Sequence, residues 1–181
     1  MPQATSLEPS QAKWKSLLEK NADKMLALFS EGNATKYEIG LLYNTVVKQE
    51  LAEKCGYRTA QVYFAERFKG KAALSQASLT RYGRVAKAFS KEITAKYGVT
   101  DLYALLGYAA VAHISVPSDP GNVEIQVIKK DGTPDSKPFA SCTHEDVAGA
   151  LRHLKKPDAA LLTEEQELAK RFNEIIDLIN G

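Results

Sequence analysis

Six residues between positions 76 and 91 have types and spacing that suit one chemistry. On a helix turning about 100° per residue, Gln76, Thr80, Arg81, Arg84, Lys87 and, where the helix continues, Lys91 gather on one side. Leu79, Tyr82, Val85, Ala86 and Phe89 gather on the other, and no Asp or Glu occurs from Ser75 to Lys91. Arg offers a planar fork of donors, Gln a donor beside an acceptor, Thr a hydroxyl that does both, and Lys a point charge. Such a set suits a polyanion that also carries flat hydrogen-bonding edges, which is how DNA presents its phosphates and bases. Lys69, Lys71 and Lys96 flank the stretch as further phosphate contacts. Gln76 joins this side only if Ser75, rather than Ser78, caps the helix.

Groups suited to catalysis are sparser. Cys142, His144 and Asp146 fall within five residues, but neighbours at a helix start point in different directions, and a nucleophile needs a separately placed base and oxyanion donors. Thr143 as a helix cap explains that segment better. His113, His144 and His153 show no i, i+4 pairing and no Cys or carboxylate pattern of a zinc site. The common phosphate-loop, dinucleotide and hydrolase signatures are missing. The expectation is a protein that binds without chemistry, with no enzyme activity, cofactor or metal.

Periodicity places these residues on a mainly helical chain. Trp14, Leu17, Leu18, Met25, Leu26 and Phe29 mark a helix over about 11–29 that Gly32-Asn33 ends. A second over about 36–54 carries Ile39, Tyr43, Val46, Val47 and Leu51 as its buried stripe and stops at Gly56. Further helices are expected over 59–68, from Ser75 or Ser78 to Phe89, over 91–97 behind Ser90, and from Asp101 to about His113 behind Thr100. Pro117, Pro120 and Gly121 then break the helical pattern. Val123, Ile125 and Val127 alternate with polar neighbours, Asp131-Gly132 suggests a hairpin turn, and Pro138-Phe139-Ala140 a short return strand. Thr143 opens a helix to about Leu154, with Asp146 in the position of a capping box. The last helix, 163–180, carries Leu168, Phe172, Ile175 and Ile179 at heptad-like spacing and is the expected homodimer seam.

With 181 residues, 44% hydrophobic and 25% charged, the chain has a globular composition and is long enough for a sizeable core. The net charge of +2 conceals a segregation: residues 34–97 hold twelve Lys or Arg against five acids, whereas residues 98–181 hold eight against thirteen. An anionic partner is therefore expected to meet the middle of the chain. Two cysteines cannot make a disulfide framework. The first residues have neither the basic nor the apolar region of a secretory signal. The most apolar stretch, 103–116, is interrupted by His113 and falls short of the 18 to 20 residues or so that a bilayer span needs. The expected location is cytoplasmic, without a membrane partner.

The middle segment resembles a helix-turn-helix DNA-binding domain, over about residues 38–90. In one reading, residues 49–62 match the motif: Ala52 for close helix packing, Gly56 for the turn, and Leu51, Cys55, Tyr57 and Val62 for the core. Residues 59–68 would then be the recognition helix, although they offer only Arg58 and Arg67, with Glu66 adjacent. In the other reading, residues 59–68 support and residues 75–89 recognise, as in three-helix variants of the motif. The second is preferred, because it puts Gln76, Thr80, Arg81 and Arg84 on base edges and Lys69, Lys71, Lys87 and Lys91 on phosphates.

The expected architecture is mainly α with a small α+β C-terminal unit. A helical bundle over 1–116 contains the three-helix motif, and a β-hairpin with two helices over 117–181 dimerises or receives a partner. The expected function is double-stranded DNA binding, as a transcriptional regulator or a plasmid or phage maintenance protein. The alternative is a non-enzymatic adaptor that self-associates through its basic and acidic faces.

Overall fold

A computed structural model describes residues 9–30, 35–70, 74–129 and 133–155. Its elements are α1 (Pro9–Ser30), α2 (Lys36–Lys48), α3 (Leu51–Lys54), α4 (Ala60–Arg67), α5 (Gln76–Ala88), α6 (Lys91–Tyr97), α7 (Val99–Ala112), β1 (Glu124–Ile128), β2 (Pro134–Pro138), a 3-10 turn (Phe139–Ser141) and α8 (His144–Lys155). The mainly helical class with a small hairpin and helix near the C-terminus is as expected. The residues divide into two compact units, Met1–Tyr103 with Pro117–Pro120, and Ala104–Val116 with Gly121–Gly181. The prolines place a sequence boundary at 116/117, whereas the units divide within α7. Lys71, the Asp131-Gly132 turn and the stripe Leu168, Phe172, Ile175 and Ile179 lie outside the described residues.

The first unit is built on local signals that agree with its packing. Leu18, Ala22, Met25 and Leu28 repeat at helical spacing in α1 and are buried. The segment 36–54, expected as one helix, is two, because Glu50 takes a left-handed conformation (φ 52°, ψ 38°) between α2 and α3. That turn lets α3 pack against α1, with Leu51 and Ala52 fully buried. Gly56, at φ 87°, then closes α3: its own N–H donates to Glu53 O and that of Tyr57 to Ala52 O, both at 3.0 Å. The hydroxyl of Thr59 accepts from the Val62 N–H and starts α4.

Two stripe positions are corrected. Val47 is 43% exposed, since α2 turns Ile39, Gly40, Tyr43 and Val46 inward. Val62 is 38% exposed, because α4 buries Ala60, Tyr63 and Phe64, an i, i+3, i+4 set that leaves Val62 outside.

In the first unit α2 and α5 make the tightest helix pair, and small residues set their separation. Gly40 of α2 faces the backbone of Tyr82, Gly83 of α5 faces Tyr43 and Asn44, and Asn44 Nδ2 donates to Gly83 O at 2.8 Å. Tyr43, Phe64, Phe68, Tyr63 and Tyr57 form a chain of ring contacts with centroids 5.0–5.8 Å apart.

In the second unit β1 and β2 pair antiparallel, with Glu124 opposite Pro138 and Ile128 opposite Pro134. The return strand thus precedes the expected 138–140, and Phe139 is buried in the 3-10 turn instead. Ile125 and Val127 point inward from β1, against which α8 packs with Val147 and Ala150 buried. Tyr108 Oη accepts from Gln126 N–H at 3.0 Å. Thr143 and Asp146 form the capping box: Thr143 N–H donates to Asp146 Oδ2 at 2.9 Å and Asp146 N–H to Thr143 Oγ1 at 3.2 Å.

Candidate nucleic-acid interface

Helix α5 starts where its cap dictates. Ser75 Oγ accepts from the Ser78 N–H at 3.3 Å, so Gln76 is the first helical residue and belongs to the outer side. Leu79, Tyr82, Gly83, Val85 and Ala86 are buried. Gln76, Arg84 and Lys87 are exposed, and Thr80 and Arg81 are half-buried. The helix carries no acidic residue.

The two arginines share one aromatic ring. Tyr103, in α7, has the guanidinium carbons of Arg81 and Arg84 each 5.4 Å from its ring centroid. Neither arginine has a carboxylate within ion-pair distance among the described residues. Arg81 Nε is buried and makes no hydrogen bond. Tyr103 stands in an apolar stretch, and nothing local in the sequence connects it to a helix about twenty residues earlier.

The other cations of this region are held differently. Lys91 Nζ donates to Glu38 Oε1 at 2.5 Å, and this contact holds the Glu38 carboxyl below its usual range and raises Lys91 above its own. Arg67 pairs with Asp23 at 2.5 Å and Lys96 with Asp119 at 3.3 Å. Lys69 is exposed beyond the end of α4, beside a shallow groove of about 430 Å³ lined by Phe64, Phe68, Leu74 and Gln76. The geometry thus gathers Gln76, Thr80, Arg81, Arg84 and Lys87 on one helix side, and it leaves Lys91 neutralised by α2.

Helix α4 offers less. Its Arg67 is tied to Asp23, Glu66 lies beside it, and Arg58 precedes its cap. The α4–α5 connection, residues 68–75, exceeds the three or four residues usual in a helix-turn-helix. The helix that supports α5 most closely is α2.

The Cys142 segment is assembled for capping. Asp146 is engaged with Thr143, whose backbone N–H is the main cause of its lowered carboxyl pKa, and lies 3.6 Å from Lys137. Burial pushes the Cys142 thiol up, away from the thiolate a nucleophile needs. No group of three or more His, Cys, Asp or Glu able to hold a metal ion occurs among the described residues. No helix among them is long and apolar enough to cross a membrane. No family model matches the sequence, and no curated protein and no solved structure matches it.

Proposed function

We propose that this protein binds double-stranded DNA without catalysing a reaction, through the outer side of α5. One observation carries the reading: on a helix free of acids, Arg81 and Arg84 have no carboxylate partner among the described residues, whereas nearby Arg67, Lys91 and Lys96 each have one. Gln76, Thr80, Arg81 and Arg84 read base edges, while Lys87 and Lys69 supply phosphate contacts. Lys91 contributes once Glu38 releases it. Transcriptional regulation, or plasmid or phage maintenance, in a reducing cytoplasm is the setting that two free thiols suit.

The test is the anisotropy of a labelled mixed-sequence duplex titrated at two salt concentrations, beside an Arg81→Ala/Arg84→Ala/Lys87→Ala variant. Micromolar binding that weakens steeply with salt and is lost in the folded variant supports the proposal. Absence of binding at low salt overturns it and leaves the outer side of α5 to a protein partner.

A further inference from the structure

We infer that Tyr103 is a positioning residue that presents Arg81 and Arg84 as a paired, unneutralised guanidinium element for guanine in the major groove. The inference rests on the DNA-binding reading and adds the base class and the residue that organises its recognition.

A cation can be held still in two ways. A carboxylate fixes an arginine but cancels its charge and occupies its donors, as Asp23 does for Arg67. An aromatic face fixes it through the ring quadrupole and leaves both charge and donors available. Tyr103 does this for two residues at once, each guanidinium carbon 5.4 Å from its centroid. Because Arg81 and Arg84 are three apart on one helix, their like charges oppose this convergence, and the quadrupole of the ring that both meet offsets the repulsion. Arg81 Nε is sealed from solvent without a partner, so the terminal nitrogens are the donors it has left for a ligand. Two parallel terminal N–H groups match guanine O6 and N7, and adenine offers an acceptor at only one of the corresponding positions.

Two measurements test this. In the free protein, the Nε–Hε NMR signals of Arg81 and Arg84 are expected to carry a ring-current shift that Tyr103→Phe keeps and Tyr103→Leu removes. In selection from a randomised duplex pool, the wild-type chain and Tyr103→Phe are expected to enrich the same guanine-containing step. Tyr103→Leu is expected to lose about tenfold in discrimination at that step, with affinity for mixed-sequence DNA within about twofold because both cations remain. If Tyr103→Leu does not fold, Tyr103→Met serves in the same comparison.

Unshifted arginine signals in the wild type, or unchanged discrimination without the ring, overturn the positioning role. An enriched step without guanine overturns the base assignment. If the signals are shifted but no duplex is bound, the DNA reading falls, and the guanine role with it.

Discussion

A Cβ built on Gly40 stands 2.3 Å from the carbonyl oxygen of Tyr82 and 2.6 Å from its carbonyl carbon. Both are backbone atoms of α5, so no side-chain rotation relieves the clash. Gly40→Ala is therefore expected to destabilise the fold by about 1–3 kcal/mol through overpacking, despite alanine's helix propensity advantage of about 1 kcal/mol. Urea unfolding checks this, and an unchanged midpoint would show that α2 and α5 separate freely.

Releasing Lys91 should strengthen DNA binding. Glu38→Gln removes the carboxylate that neutralises it, so affinity at low salt rises and the dependence of log K on log salt steepens by up to about 0.9. Lys91→Ala in the wild-type background costs less affinity than Lys87→Ala, since Lys91 is already paired. Anisotropy titrations over a salt series measure both, and the reverse order would remove Lys87 from the site.

Arg84→Ala on a selected duplex is expected to cost about 1–3 kcal/mol if that residue reads a base. Unchanged affinity on every duplex tested would exclude it from the interface.

Burial pushes the Tyr63 phenol up to about 12. The folded state thus holds this proton more tightly than the unfolded chain, whose tyrosine titrates near 10. The corresponding stability is fully present below about pH 10 and is lost as pH rises toward 12. Urea midpoints at pH 9, 10 and 11 should fall more steeply for the wild type than for Tyr63→Phe, and parallel curves would contradict the burial of the phenol.

At the other end of the scale, the Thr143 backbone N–H lowers the Asp146 pKa. This contribution is present above the ordinary carboxylate pKa near 3.9 and disappears as pH falls through the lowered value. Thr143→Ala, which removes the reciprocal cap, should cost about 1 kcal/mol in the second unit at neutral pH. Amide hydrogen exchange in the first turn of α8 would report it, and unaltered protection there would deny the cap any energetic role.

What the sequence revealed and what it hid follow from the range of the forces involved. Ser75, Ser90 and the Thr143–Asp146 pair are legible because a cap bonds within three residues of itself. The outer side of α5 is legible because its buried stripe is continuous, and Ser75 as cap resolves the place of Gln76. The break at Glu50 is hidden, since neither Gly nor Pro marks it and packing of α3 on α1 decides it. The pairing of Lys91 with Glu38 spans 53 residues, and that of Tyr103 with Arg81 spans 22. No local pattern encodes contacts so distant, yet they determine which cations stay available.

The left-handed turn at Glu50 has a practical consequence. An ordinary side chain held at φ 52° costs roughly 1–2 kcal/mol relative to the right-handed region, and Asn tolerates that conformation better. Glu50 is exposed and lies outside the α5 face. Glu50→Asn thus offers a firmer background in which costly variants such as Gly40→Ala can stay folded long enough for their binding to be measured.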